Sequence, residues 1–196
     1  MRIGYFDCFS GASGDMILGA LVDAGLPPEA LRDELARLGL GGYELKIGKV
    51  RKQGFAATKV DVVATAPAGH RHLKHIVEIL DRSTLDDAVR TTARAVFTRL
   101  AEAEAAVHQT TIEKVHFHEV GAVDAIVDVV GAVAGLRRLG IERVESSAVP
   151  VGGGTVRCDH GLMPVPAPAT AALLTGVPLA PSDEPAELTT PTGAAI

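Results

Sequence analysis

Five of the seven histidines fall in two short stretches, and both stretches have spacings that suit metal chemistry. In HRHLKH (70–75), His70, His72 and His75 are two and three residues apart. Imidazoles so spaced can share one nickel, zinc or copper ion. In HFHE (116–119), an extended backbone points His116 and His118 to the same side. Glu119 then opens a helix, where its charge is favoured by the helix dipole. Asp124 and Asp128 follow on one face of that helix. The helix composition is apolar nearly all round, and a buried carboxylate without a partner is costly there. A metal, a basic side chain or helix N–H groups would each serve as partner. The same residues also fit a solvated polar loop at 70–75, with satisfied aspartates and structural histidines at 116–128.

A second feature is DCFSGASGD (7–15), a Gly/Ser turn between a strand-like and a helix-like segment. Backbone N–H groups at such a turn bind phosphate. Ser10, Gly11, Ser13 and Gly14 would hold the anion, and Asp7 and Asp15 would hold a divalent ion on it. The turn lacks the Gly-Lys-Ser/Thr end of a Walker A loop and is not a GxGxxG fingerprint. It also fits a plain tight turn in which Asp15 stabilises a helix N-terminus. In CDHG (158–161), His160 lies in an irregular, Pro-punctuated stretch, a common place for site residues. Cys158 is either a soft ligand or a small buried hydrophobe. No GxSxG elbow is present, so there is no case for a Ser-His-Asp triad.

These residues need a scaffold, and 196 residues with 47% apolar content can bury a real core,. That excludes intrinsic disorder. Apolar stretches are broken before the roughly 18 residues of a membrane span. The N-terminus has no signal-peptide layout, and two cysteines make no disulfide framework,. The expected compartment is the cytoplasm. A net charge of −5, 4% aromatics and no Trp argue against nucleic acid as a partner,.

Residues 2–9 read as a short buried strand and 15–24 as a helix stopped by Gly25 and Pro27. Pro28 opens a second helix with Leu31, Leu35 and Leu38 on one face and Gly39 as cap. Alternation at Tyr43, Leu45, Ile47 and at Ala56–Val62 predicts two paired strands around RKQG (51–54). Helices are predicted at 72–80, 85–107 and about 119–139, the last central and buried. After 144 the segments are short. The expectation is one α/β or α+β domain over 1–196, a small mixed sheet flanked by helices. ELTTPTGAAI (187–196) reads as a turn entering a new helix, which suits the N-terminal domain of a longer protein.

Four stretches together resemble one family. YFDCFSGASGDMILGALVDAG (5–25), VHFHEVGAVDAIVDVVG (115–131), HGLMPVPAPAT (160–170) and ELTTPTGAAI (187–196) are similar to signatures of the nickel insertion proteins of nickel-pincer cofactor synthesis, the LarC family. The resemblance implies insertion of nickel into pyridinium-3,5-bisthiocarboxylic acid mononucleotide, using CTP with magnesium or manganese. It also implies a lyase-class enzyme, with the product passed to apoenzymes of the lactate racemase type. Family members are about twice as long, with CTP binding associated with the C-terminal half, so that half is an expected partner and this chain alone is expected to be inactive. Self-association is a further expectation.

Role assignments come from side-chain chemistry. His70, His72 and His75 capture nickel at a mobile loop, and His116, His118 and Glu119 form a more ordered metal site. Ser10, Gly11, Ser13 and Gly14 bind phosphate. Asp7, Asp15, Asp124 and Asp128 are catalytic candidates, through magnesium or through internal pairing. Two other readings stay open: a zinc- or manganese-dependent hydrolase of a phosphorylated small molecule, and a non-enzymatic nickel metallochaperone.

Overall fold

The computed structural model describes residues 1–65, 71–117 and 121–196. Its centre is helix α5 (Val123–Arg138), whose buried residues include Ile126, Val127, Val129, Val130, Ala132 and Ala134. Helices α1 (Gly14–Asp23), α2 (Pro28–Ala36) and α4 (Asp87–Val107) pack around it. Two glycines of α5 set how closely they approach. A Cβ at Gly131 would meet Leu18, Leu31 and Leu35, and one at Gly135 would meet Leu21 and Leu26. The leucine faces of α1 and α2 therefore seat directly on the α5 backbone. Pro28 opens α2 as the sequence predicts, whereas the helix ends earlier than expected: Arg37 is the C-cap, and Gly39, at φ +66°, turns the chain two residues later,.

Strands β2 (Tyr43–Lys52) and β3 (Phe55–Ala64) pair antiparallel, as expected, across a turn at the end of RKQG. Gln53 and Gly54 both take positive φ at this turn, as a two-residue hairpin of right-handed twist requires,. The hairpin lies on α1, so close that a Cβ at Gly19 would meet the Thr58 carbonyl. Helix α3 (Leu73–Arg82) packs on α4 through Ile76 and Leu80.

Strand β1 (Ile3–Phe6) runs parallel to β4 (Arg143–Ser146), and β5 (Val149–Pro150) runs parallel to β8 (Leu179–Ala180). Strands β6 (Thr155–Cys158) and β7 (Gly161–Pro164) form a second antiparallel hairpin. Helices α6 (Pro168–Leu173) and α7 (Pro191–Ala195) complete the described residues. The fold is mixed α/β as expected, with its parallel and antiparallel pairings spread over four two-stranded ladders among the described residues. One detail differs. The 2–9 strand is shorter and only half covered: Gly4 and Phe6 turn inward while Ile3 and Tyr5 are exposed. Both of its faces are apolar in sequence, so alternation could not show that one of them lacks a covering layer.

Candidate functional site: an acidic cleft and a histidine cluster beside α5

The N-terminal end of α5 meets the N-terminal end of α1 at a cleft of about 330 Å³. Ser13 is the extended N-cap of α1, and its hydroxyl donates to the Asp15 carboxylate rather than capping the helix. Asp15 lies in the first turn of α1 and Asp124 in that of α5. Asp128, one turn further along α5, packs against the α1 backbone at Gly14, where a Cβ would collide with its carboxylate. Asp61 of β3 and Glu187 complete the acidic wall.

The Asp128 carboxyl is pushed up to about 8, first by burial and then by the negative charges of Asp15 and Asp124. Its Oδ1 is buried with no hydrogen-bond partner. Asp128 therefore carries its proton at neutral pH. At the rim, Lys59 lies 2.6 Å from Asp61, and that bond, then its charge, holds the ammonium above the usual lysine range. The cleft offers oxygen donors, the ligand set of a hard divalent ion such as magnesium or manganese, and an orphaned buried carboxylate oxygen fits such an ion.

The Gly/Ser turn contributes only in part. Gly11, at φ +85°, and Ala12 sit against the segment 187–190. The Gly11 amide donates to the Cys8 carbonyl at 2.8 Å and the Ala12 amide to the Leu188 carbonyl at 3.0 Å. Those two donors are spent on the fold. Ser13, Gly14 and Asp15 line the cleft, whereas Asp7 and Ser10 are exposed outside it. Asp61 and Glu187 escaped the sequence reading. Asp61 sits in an alternating strand, where a charge reads as a solvated face, and Glu187 arrives from the far end of the chain.

The second feature joins the two histidine stretches. The Phe117 amide donates to the Arg71 carbonyl at 2.9 Å, and the Arg71 guanidinium donates to the Gly121 carbonyl at 2.8 Å. Phe117 is fully buried and anchors the joint. His72, the N-cap of α3, thereby comes to 3.9 Å from His116 between ring centres, with the rings tilted by 48°. Its Nδ1 is 2.9 Å from the Val115 carbonyl, so Nδ1 carries the proton and Nε2 keeps its lone pair,. The His72 amide donates to His75 Nδ1 at 3.2 Å, which ties that nitrogen to the helix start. His75 stands edge-on to His72, 5.5 Å away. His70, His118 and Glu119 lie outside the described residues. No three His, Cys, Asp or Glu side chains among the described residues are arranged to hold an ion as they stand.

Nitrogen donors gathered at one joint and an oxygen-lined cleft beside the same helix end are the chemistry of a metal-handling α/β protein. The profile of the family described as nickel insertion protein matches residues 4–196, and the chain belongs to that family. It is 57% identical over 196 residues to the pyridinium-3,5-bisthiocarboxylic acid mononucleotide nickel insertion protein of Desulfitobacterium hafniense strain DSM 10664 / DCB-2, covering all of this chain and 49% of that one. It is 49% identical over 206 residues to the protein of the same name from Geobacillus kaustophilus strain HTA426, covering 100% of this chain and 50% of that one. The chain thus spans about half the length of these relatives. No solved structure matches it. Among the described residues, no helix is long and apolar enough to cross a membrane.

Proposed function

We propose that this chain is the nickel-handling part of an enzyme that inserts nickel into pyridinium-3,5-bisthiocarboxylic acid mononucleotide. The observation that carries the reading is the His72–His116 pair, with Nδ1 of His72 bound to the Val115 carbonyl so that Nε2 is left as the ligand nitrogen. Imidazole holds nickel, and thiocarboxylate sulfur is the softer destination. His70, His118 and Glu119 flank the pair in sequence as further candidate donors, whereas His75 Nδ1 is taken by the His72 amide.

Asp15, Asp124 and Asp128 would hold magnesium or manganese against a phosphate at the first turn of α1, whose amides have no intrahelical acceptor. That ion supplies charge neutralisation of the phosphate when bound. Ser13 and Gly14 position the phosphate, and Asp128 gives up its proton as the cation enters. CTP use, lyase chemistry and passage of the product to an apoenzyme of the lactate racemase type belong to the assembled enzyme. The second half of the longer family architecture would supply the nucleotide triphosphate site, so this chain alone is inactive. The setting is the cytoplasm.

Nickel titration by calorimetry tests the reading. Wild type binds nickel, and His72→Ala/His116→Ala removes one equivalent of that binding. The reading fails if the double variant binds nickel as wild type does. The all-oxygen cleft favours one second reading, a manganese-dependent hydrolase of a phosphorylated small molecule. Turnover of a phosphate monoester by the chain alone would select it.

A further inference from the structure

A second histidine pair uses other residues than the two features above. His108 is the C-cap residue of α4, and His160 sits in the two-residue turn of the β6–β7 hairpin. Gly161 follows at φ +91°, a backbone that admits glycine and lets the hairpin close tightly around His160,. The His108 and His160 ring centres are 5.0 Å apart and tilted by 33°. Both rings line a small cavity of about 70 Å³ with Glu104, Cys158 and Met163. Glu104 Oε2 is 3.5 Å from His108 Nε2, one turn back on the same helix, with only 15% of its side chain exposed.

The two histidine pairs differ in geometry. Two imidazoles on one ion, with metal–nitrogen bonds of about 2.0–2.1 Å and a near-tetrahedral angle, put their ring centres about 5 Å apart. His72 and His116, at 3.9 Å, are closer than that and must part to share an ion. His108 and His160 already stand at the chelating separation. A carboxylate beside the far nitrogen of a ligating imidazole orients the ring, and Glu104 stands there,. Cys158, a free cysteine two residues before His160, adds a soft donor on the same wall.

We infer that the cavity between the end of α4 and the β6–β7 hairpin is a second transition-metal site, in which His108, His160 and Cys158 take a divalent ion of the nickel, cobalt or zinc type and Glu104 orients His108. The three donors do not enclose a point in the ion-free arrangement. Binding therefore includes a side-chain rotation on the hairpin, which leaves the α4 end in place. An N₂S set with an open fourth position suits a borderline ion that must also be released. This inference uses none of the residues that carry the nickel-insertion reading, so the two stand or fall separately.

Cobalt titration of the full chain, followed by absorption and calorimetry, tests it. Wild type develops a thiolate-to-cobalt charge-transfer band as one equivalent binds. Cys158→Ser removes the band. His108→Ala/His160→Ala removes both the band and that equivalent, and Glu104→Gln weakens binding by about tenfold. In the His72→Ala/His116→Ala protein the band persists. Circular dichroism confirms that each variant is folded, and Cys158→Ser, the mildest change, decides the matter should the histidine variant misfold. The proposal is overturned if cobalt gives no thiolate band with wild type, if the band survives Cys158→Ser, or if the folded His108→Ala/His160→Ala variant binds as wild type does.

Discussion

The two ends of α5 treat carboxylates in opposite ways. Near its C-terminal end, Glu34 of α2 is 3% exposed, yet it is met by two guanidinium groups: Arg138 Nε at 2.8 Å and Arg37 Nη1 at 3.3 Å. Near its N-terminal end, Asp128 is buried against Gly14 with an unpartnered oxygen and two other carboxylates close enough to raise its pKa. A buried charge with complete partners fastens helices together. A buried carboxyl denied a cation is unstable as an anion, and the fold keeps it protonated until a positive ligand arrives. The contrast separates a carboxylate whose charge the fold compensates in full from one it leaves uncompensated.

The largest expected effect breaks the uncompensated end. The folded pKa of Asp128, about 8, lies above its unfolded value of 3.8. The folded state then binds the proton more tightly, so this group lowers stability as pH rises from about 4 to about 8, and the loss is complete above 8. Asp128→Asn removes that dependence. The variant is more stable than wild type at pH 9 by on the order of 5 kcal/mol, and the gap closes toward pH 4. Urea unfolding across this range checks it. A gap that does not change with pH would refute the assignment.

The next effect breaks the structural end. Arg37→Ala/Arg138→Ala strands the Glu34 charge and costs about 3 kcal/mol at pH 7, read from the urea midpoint. Gly14→Ala should cost less, about 1–3 kcal/mol, because its methyl meets the Asp128 carboxylate and either α1 or the carboxylate must shift,. Thermal melts of Gly14→Ala and Gly14→Ala/Asp128→Gly test whether that contact is the cause. The second variant, which vacates the space, recovers the stability lost through the collision.

How much of this was legible in the sequence follows the range of the interactions. Helices α1, α2 and α4 and the β2–β3 hairpin are set by local signals: Pro28 at a helix start, Gly39 at a helix end, Gln53-Gly54 at a turn, and apolar spacing along 85–107. The Asp128 anomaly was also legible, because α5 is too apolar to hide a carboxylate cheaply. The meeting of the histidine stretches was not. His72 and Val115 are 43 residues apart, and the Arg71–Phe117 backbone pairing that joins their segments has no side-chain signature. Sequence spacing made HRHLKH a mobile capture loop separate from HFHE, whereas the backbone seats His72 and His75 on the same joint as His116. Asp61 and Glu187 were illegible for the same reason, since each reaches the cleft only through tertiary packing.

The smallest effect sharpens the comparison, because it separates an acidic cleft that binds a cation from one that is merely crowded. A cation entering beside Asp128 must displace its proton. Manganese affinity should therefore rise by about tenfold per pH unit below the Asp128 pKa of about 8 and level off above it,. Asp128→Asn should flatten that slope, since the asparagine has no proton to give up. Calorimetric titration of manganese at pH 6, 7, 8 and 9 gives both slopes. The buried Glu34, already met by two guanidinium groups, offers a cation nothing, so Glu34→Gln should leave both slopes unchanged. If manganese affinity is the same at every pH in wild type, Asp128 does not share its site with the ion, and the unpartnered oxygen needs another explanation than a hard divalent ligand.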